Sequence, residues 1–522
     1  GDCKGDSDMQ QGDSVIIFDT TLRDGEQAAG AAMTLDEKLE IARQLEKVRV
    51  DVIEAGFAAS SPGDFLAVQS IAREIRTPII ASLTHANLDA VDRAAEALKD
   101  ASRPRIHVFI SSSDIHIMHQ LRKNRDEVIN MAIAAVARAK SHYDDVEFSP
   151  MDATRTQPEF LYTLLTEAIK AGATTVNVPD TVGYTIPEEF AGLLEGIKRN
   201  VPNIEQAVLS VHCHNDLGLS VANSLAAVKA GARQVEGCIN GLGERAGNTS
   251  LEEVIMGLVT RKDFFGVTVG VDTTQLYRAS RLVSDITGFS VQPNKAVVGQ
   301  NAFRHASGIH QDGVIKERST YEIMDPRSIG IPGSSLVLGK LSGRAGLRAR
   351  LEELGYSLSQ EELNQVFEAF KELADKKREV TDLDLEALMS DKRRSDDELY
   401  KLEHVQVSCG DHDIPTATVR LTDPTGNVLT DAAIGTGPVD AVCLAIDRIL
   451  KVPNTLVELS IGSVTEGTDA IGDVTIRLEK EGKIYTGRGS STDILVASAK
   501  AYLNALNKLM AIGRTASVSS TS

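Results

Sequence analysis

The chain has 522 residues, and its 74 acidic against 55 basic side chains leave a net charge of −19. Such an excess of negative charge argues against nucleic acid or an anionic membrane as a partner. No apolar stretch reaches the roughly 18–20 residues that cross a bilayer, and no signal peptide is recognisable. The five cysteines form no closely spaced pairs, which predicts reduced thiols and a cytoplasmic location.

Eight short runs rich in β-branched and apolar residues recur through the first half of the chain. They are Val15–Asp19, Asp51–Gly56, Pro78–Leu83, Arg105–Ile110, Asp144–Ser149, Thr174–Val178, Val208–Cys213 and Arg233–Cys238. Segments with helical periodicity, such as Leu35–Val48 and Pro158–Ala171, lie between them. Apolar strands that alternate with amphipathic helices are typical of a parallel sheet. Eight such units predict an α/β fold, a (β/α)₈ TIM barrel over residues 15–265.

Polar side chains follow the predicted strands at the end where such a barrel carries its chemistry. Arg23 and Asp24 follow the first strand, and His212 and His214 end the seventh. Because residues two apart on a strand point to the same side, both imidazoles can face one point. Two histidines and a carboxylate form a ligand set for a divalent metal. A pair of histidines in this spacing is by itself more often structural, so the interpretation depends on the barrel.

The second half of the chain differs in pattern and predicts several smaller parts. Residues 266–330 form a mixed linker subdomain with Gly-rich joints, and residues 331–398 form a charged, helical linker subdomain. Strand and helix patterns then alternate over residues 399–512, which predicts an α+β domain. Residues 1–14 and 513–522 are predicted to be disordered because they are polar or lie at the termini.

Six motifs in chain order resemble those of the 2-isopropylmalate synthases, a family of metal-dependent barrels that condense acyl-CoA with 2-oxo acids. The motifs read F-D-T-T-L-R-D-G-E-Q, E-A-G-F, N-V-P-D-T-V-G-Y, H-C-H-N-D-L-G-L, N-G-L-G-E-R-A-G-N-T-S and S-G-I-H-Q-D-G-V. The match covers nearly the whole chain. In the C-terminal domain, G-T-G-P-V-D-A and S-T-D-I resemble the leucine-binding regulatory module of that family.

The resemblance implies an acyltransferase that performs a Claisen condensation between acetyl-CoA and a 2-oxo acid, followed by hydrolysis of the CoA thioester. The implied metal ligands are Asp24, His212, His214 and Asn248, which can take Mg²⁺, Mn²⁺ or Zn²⁺, with a monovalent cation as an activator. The implied catalytic residues are Arg23, Glu244, His310 and Tyr321. Arg23 would stabilise negative charge on the reacting oxygen. His310 is suited to proton transfer, and it would act either in its own subunit or at the active site of a partner subunit. The alternative is that His310 only packs at a helix junction.

The substrate pocket is the place where this chain departs from the family pattern. The implied substrate-binding residues are His116, Ser149, Met151, Asn177 and Thr181, and Met151 replaces a glutamate that the family usually has. Ala58 and Asp114 are also unusual there. Either Met151 is tolerated and the substrate is 2-oxoisovalerate, or the pocket takes a bulkier 2-oxo acid such as phenylpyruvate. We favour the first interpretation because most of the chain follows the leucine-pathway pattern.

Two other classes of function need consideration. A retro-aldol lyase shares the barrel and the metal site, but the lyases of this group lack the appended C-terminal domain. A non-catalytic amino-acid sensor would fit the loss of a glutamate at Met151, but the metal ligands and Arg23 are all present. Metal-dependent release of CoA distinguishes an enzyme from a non-enzyme.

The C-terminal domain is predicted to bind an amino-acid effector, leucine by the resemblance. Gly435 and Gly437 precede a predicted helix that contains Asp440, so their backbone N–H groups can meet a small carboxylate. Asp493 precedes a second helix and could hold an ammonium group or only cap the helix. We expect feedback inhibition and a homodimer or a larger homo-oligomer.

Overall fold

The structure is a computed structural model that describes residues 13–303, 318–320, 322–331, 338, 342–376, 380–396, 398–410, 413–463 and 470–518. The chain divides into two compact units. The first contains residues 1–28, 35–283 and 291–329, and the second contains residues 29–34, 284–290 and 330–522. Within the described ranges, no helix combines the length and the apolar character that crossing a membrane requires.

The first unit contains a closed barrel of eight parallel strands, as the sequence predicts. Its strands are β1 (Ile16–Asp19), β2 (Val52–Gly56), β3 (Ile79–His85), β4 (Pro104–Ser111), β5 (Val146–Met151), β6 (Thr175–Asp180), β7 (Val208–Cys213) and β8 (Gln234–Gly237). Each strand pairs with the next, and β1 also pairs with β8, which closes the barrel. The predicted fold class is therefore confirmed.

Helices follow the strands and cover the outside of the barrel. The longer ones are α1 (Leu35–Val48), α2 (Pro62–Glu74), α3 (Leu88–Ala97), α4 (Arg125–His142), α5 (Pro158–Ala171), α6 (Pro187–Asn200), α7 (Ser220–Ala230), α8 (Leu251–Thr260) and α9 (Leu276–Thr287). Local sequence sets several of their ends. Asn124 and Glu127 form a capping box at the start of α4, and Gly172 ends α5 with a φ of 123°, a conformation that glycine adopts without strain.

Alternation along the strands separates two kinds of interior. On β4, Ile106 and Val108 are fully buried and share one face of the strand. Arg105 alternates with them and bonds Glu147 on β5 and Gln234 on β8, so it points into the barrel. Successive side chains on a strand face opposite sides, so Ile106 and Val108 lie towards the helices while Arg105 belongs to a polar group inside the barrel.

The described residues of the second unit form two three-stranded antiparallel sheets and five longer helices. The sheets are ordered β11-β10-β9 and β12-β13-β14. The strands are β9 (Lys401–Ser408), β10 (Thr416–Thr422), β11 (Val428–Ile434), β12 (Thr455–Ser463), β13 (Gly472–Lys480) and β14 (Lys483–Ser491). The helices are α10 (Arg344–Glu353), α11 (Gln360–Lys376), α12 (Asp382–Asp396), α13 (Pro438–Leu450) and α14 (Ile494–Val518).

Two features of the second unit differ from the pattern expected from sequence. Strand β11 has only a weak strand pattern in its sequence, because Asp431 and two alanines interrupt its β-branched run, yet it pairs with β10 along its whole length. The last helix, α14, continues to Val518, six residues into the segment 513–522 that was predicted to be disordered. Extending a helix that already exists adds one hydrogen bond for each residue that becomes ordered. The helix can therefore continue into a polar segment.

Candidate active site

A cavity of about 210 Å³ opens at the carboxyl ends of the barrel strands. It is lined by Arg23, Asp24, Gln27, Phe57, Leu83, His107, Phe109, Ser149, Met151, Asn177, Pro179, Thr181, His212, His214, Glu236, Glu244 and Arg245. Parallel strands of a barrel end at one face, so residues distant in sequence meet there. Nine of the residues that the sequence assigned to catalysis, substrate or metal therefore line one cavity, namely Arg23, Asp24, Ser149, Met151, Asn177, Thr181, His212, His214 and Glu244.

Asp24, His212 and His214 form a compact group of three buried ligands. The Nε2 atoms of the two histidines lie 3.2 Å apart, and Asp24 Oδ2 lies 3.6 Å from the first and 4.0 Å from the second. The two histidines alternate with the buried Cys213 at the end of β7, and His214 directly follows the strand. One divalent cation can contact all three side chains, because nitrogen and oxygen ligands of one ion lie this close together.

Asn248 supplies an independent observation in favour of a bound metal. Its Nδ2 donates to Asp24 Oδ1 over 2.9 Å and to the carbonyl of Leu242 over 3.0 Å. Its Oδ1 is buried and has no hydrogen-bond partner among the described residues. A buried acceptor without a partner is costly, and a cation would satisfy it. A Cβ at Gly243 would collide with the Asn248 amide, so glycine is needed there.

Electrostatics keep the three ligands in the protonation states that a metal requires. Burial lowers the pKa of His214 to about 4, and the neighbouring His212 acts in the same direction. Burial also lowers the pKa of His212. Burial opposes ionisation of Asp24, but the charge of Arg23 and the hydrogen bond from Asn248 hold the pKa of its carboxyl well below the usual range. Neutral imidazoles and a carboxylate are the forms that bind a cation.

Arg23 is held in place beside the metal ligands by two carboxylates. Its Nη1 lies 2.6 Å from Asp24 Oδ2, and its Nε lies 2.7 Å from Glu54 Oε2. Glu54 is fully buried and also accepts a hydrogen bond from Thr20 Oγ1. A guanidinium fixed in this way is a preorganised positive charge for an oxyanion that forms next to the metal ligands.

His107 is a cavity residue that the sequence analysis did not single out. Its Nδ1 lies 2.8 Å from Glu54 Oε1, and its Nε2 lies 2.6 Å from Ser149 Oγ. Asn177 Nδ2 donates to the same Ser149 oxygen over 2.9 Å. A chain of hydrogen bonds therefore joins Asn177 to Glu54 and Arg23. Alternation on β4 could have revealed this residue, because His107 shares a face with Arg105.

The wall of the cavity that contains Met151 is apolar. Phe57, Leu83 and Phe109 also line it, and the rings of Phe57 and Phe109 meet edge to face with their centroids 6.1 Å apart. A methionine fits such surroundings because it is apolar and flexible. Asp114, which was also noted as unusual, forms an exposed ion pair with Arg125 and is not among the lining residues.

The other predicted residues of this region lie in different surroundings. Thr181 Oγ1 accepts the backbone N–H of Asp152 over 2.9 Å. Glu244 lines the cavity with 53% of its side chain exposed. His116 is not a lining residue, and its Nδ1 lies 3.5 Å from Asp152 Oδ2. His310 and Tyr321 lie outside the described residues.

The four residues predicted to bind an effector lie at the starts of α13 and α14. Asp440 Oδ2 accepts the backbone N–H of Thr436 over 2.7 Å, and Gly437 occupies the N-cap position of α13. The Gly435 N–H donates to the Pro415 carbonyl. Asp493 Oδ1 accepts the N–H of Leu495 over 2.8 Å, so it caps α14. These contacts show how the two helix starts are stabilised.

Comparison with known proteins gives the family. The HMGL-like family model matches residues 14–283, a homocitrate synthase post-HMGL domain-like model matches residues 297–378, and the LeuA allosteric (dimerisation) domain matches residues 379–510. A 2-isopropylmalate synthase of Gloeobacter violaceus is 59% identical over 95% of each chain. That of Thermosynechococcus vestitus is 58% identical over 95% of this chain and 96% of its own.

Among solved structures, a hydroxymethylglutaryl-CoA lyase from Pseudomonas aeruginosa is similar at 20% identity and a TM-score of 0.47, covering 54% of this chain and 95% of its own. The 2-isopropylmalate synthases are far more similar in sequence, at 58–59% identity. Their match extends over both the barrel and the C-terminal unit. With its ligand group of two histidines and an aspartate at the mouth of an HMGL-like barrel, the chain belongs to the 2-isopropylmalate synthase family.

Proposed function

We propose that the chain condenses acetyl-CoA with 2-oxoisovalerate to give 2-isopropylmalate and free CoA, the reaction that commits carbon to leucine biosynthesis. The observation that carries this proposal is the ligand group Asp24, His212 and His214 beside a cavity with an apolar wall. The group can hold a metal on substrate oxygens, and the wall can receive a branched alkyl side chain. The names of the relatives agree with this assignment.

The proposed metal site consists of Asp24, His212, His214 and Asn248. When bound, a divalent metal there polarises the ketone of the 2-oxo acid and orients one of its faces. Ligands of nitrogen and oxygen accept Mg²⁺, Mn²⁺ or Zn²⁺, so titration of the metal-free protein with each ion identifies the best activator. The same assay with K⁺ and Na⁺ tests the proposed monovalent activator.

The residues of the chain perform the remaining tasks. Arg23 stabilises negative charge on the oxygen of the attacked ketone, because its guanidinium is already fixed by Asp24 and Glu54. Thr181 lines the cavity and is proposed to position the substrate carboxylate. His310 and Tyr321 are proposed, from the family resemblance, to move the methyl proton of acetyl-CoA, and Glu244 to assist on the side that faces CoA.

The Ser149, His107 and Glu54 side chains bond one another, so their donors are occupied within the chain. A wall whose polar groups are already satisfied does not require a polar substituent on the substrate. This supports an oxo acid with an alkyl side chain. His116 stays a proposed substrate residue, which His116→Ala tests through the KM for the oxo acid.

The experiment that tests the function is a thiol-release assay with acetyl-CoA, Mg²⁺ or Mn²⁺, and oxo acids from pyruvate through 2-oxoisovalerate to phenylpyruvate. We expect 2-oxoisovalerate to give the highest kcat/KM. If phenylpyruvate instead gives the highest kcat/KM, Met151 is a specificity determinant. Met151→Glu should then restore the preference for 2-oxoisovalerate. No CoA release with any of them would favour the non-catalytic sensor.

For the C-terminal unit we propose a homodimer that is inhibited by leucine. The match to an allosteric and dimerisation domain supports effector binding and assembly. Calorimetric titration of the full chain with leucine, isoleucine and valine tests the effector, and sedimentation velocity tests the assembly. Asp493→Ala serves as the site variant. If it loses the helix cap but keeps leucine binding, the effector lies elsewhere.

A further inference from the structure

A buried carboxyl group lies behind one of the two histidine ligands. Glu236 is on β8, where it is paired in register with His212 on β7, and it is 1% exposed. Its Oε2 lies 2.7 Å from Nδ1 of His212. The other ring nitrogen, Nε2, is the atom that faces Asp24 and His214. The two nitrogens of this imidazole therefore have separate partners.

His214 differs from His212 in this respect. Its Nδ1 is buried and has no hydrogen-bond partner within the described part of the chain. A neutral imidazole carries one proton, and the partner of one nitrogen decides which nitrogen keeps its lone pair. An acceptor at Nδ1 of His212 keeps the proton there. The lone pair on its Nε2 is then available to a metal.

We propose that Glu236 is a positioning residue that fixes the tautomer and the ring orientation of His212 for metal binding. A carboxylate that accepts from the far nitrogen of a ligand histidine makes the near nitrogen a better ligand and prevents rotation of the ring. Glu236 acts through His212, because its carboxyl meets the nitrogen that faces away from the ligand group. The inference rests on the metal site of the proposed function.

Glu236 lies beside other buried polar residues. The ligand atoms of Glu147, Glu236 and His107 lie within 4.8 Å of one another. Glu147 is fixed by Arg105 Nη1 over 3.0 Å and by Gln234 Nε2 over 2.7 Å. The charge of Arg105 offsets part of the cost of burying the Glu147 carboxyl. The fixed neighbours limit the orientations open to the Glu236 carboxyl.

The test compares two variants of Glu236 with a matched control. Glu236→Met removes the acceptor at similar volume, and Glu236→Gln keeps a weaker, neutral acceptor. Ser210→Ala is the control. Ser210 is fully buried on β7, the strand of His212, and it bonds Gln234 but not His212. The affinity of each full-length, metal-free protein for Mn²⁺ is measured by electron paramagnetic resonance of the free ion, and melting is followed to establish folding.

We expect the Kd for Mn²⁺ to rise about 10- to 100-fold in Glu236→Met and at least about threefold in Glu236→Gln. The Ser210→Ala protein should bind within about twofold of wild type. Wild-type affinity in a folded Glu236→Met protein overturns the inference. If that variant does not fold, Glu236→Gln decides, and an unchanged Kd overturns the inference equally.

Equal loss of affinity in Ser210→Ala would show a general packing effect and also overturn the inference. Absence of Mn²⁺ binding by the wild-type chain would be a different failure, because it would remove the metal site of the proposed function itself. A second readout is the visible absorption of the Co²⁺-loaded proteins. The ligand-field bands should shift in both Glu236 variants and stay unchanged in Ser210→Ala.

Discussion

The inside of the barrel and the core of the C-terminal sheets differ in the kind of side chain that they bury. In the barrel, Arg105, Glu147 and Gln234 are buried and bond one another. In the C-terminal unit, the core below the sheets consists of residues such as Val419 and Ile476, both fully buried. Charged side chains are buried inside the barrel, whereas the core cluster below the C-terminal sheets consists almost entirely of apolar side chains.

The difference shows which interior is built for chemistry. Each buried charge loses its hydration and has to be compensated by a partner, so the charged interior of the barrel stabilises the fold little. It supplies fixed charges and hydrogen-bonding groups next to the cavity instead. The apolar core of the C-terminal unit stabilises through the removal of apolar area from water. Mutations should therefore affect activity in one region and stability in the other.

The largest effect is expected from Arg23→Gln. This change removes the charge proposed to stabilise the oxyanion and leaves Glu54 without its guanidinium. We expect kcat to fall about 10²- to 10³-fold, the loss seen when one preorganised donor is removed. Steady-state CoA release measures it. A kcat within a few fold of wild type would show that this fixed charge has no role in the transition state.

The opposite pattern is expected from Ile476→Ala in the C-terminal core. Removing a buried isoleucine side chain leaves a cavity and costs about 2–5 kcal/mol of unfolding free energy. Denaturant unfolding of the full chain measures it, and the affinity for Mn²⁺ should not change. Weaker Mn²⁺ binding in this variant would contradict the expectation that the C-terminal core affects stability and not the metal site.

A pH-dependent effect is expected from Asp19 on β1. Burial raises the pKa of this carboxyl from 3.8 to about 7. Between these two values the unfolded chain has lost the proton while the folded chain keeps it, so stability falls as the pH rises. Asp19→Asn removes this dependence. Its stability relative to wild type should rise by up to about 4 kcal/mol from pH 4 to pH 8, as measured by urea unfolding at both pH values.

The smallest effect is expected from Arg138→Gln on the surface of α4. Arg138 pairs with Asp92 over 2.7 Å, and both side chains are more than one third exposed. Exposed ion pairs contribute little to stability, and salt screens the attraction between their charges. The melting temperature at low and high salt measures the effect. A loss as large as that in the C-terminal core would contradict the assignment of stability to apolar burial.

The sequence alone was sufficient where the signal is local. Apolar runs at regular intervals predicted the eight strands, and the two-residue period of a strand placed His212 and His214 on one side. Family motifs then added Asn248, whose buried Oδ1 has no partner among the described residues. Strand β11 has no comparable local signal, because its residues have a mixed pattern and its order comes from pairing with β10.

Tertiary structure decided the contacts that need strands distant in sequence to meet. The network of Glu54, His107 and Ser149 joins β2, β4 and β5, and Glu236 reaches His212 only because β8 pairs with β7. Sequence patterns report which face of a strand a side chain occupies. They do not report which side chains it meets across the barrel, because closure depends on the packing of all eight strands together.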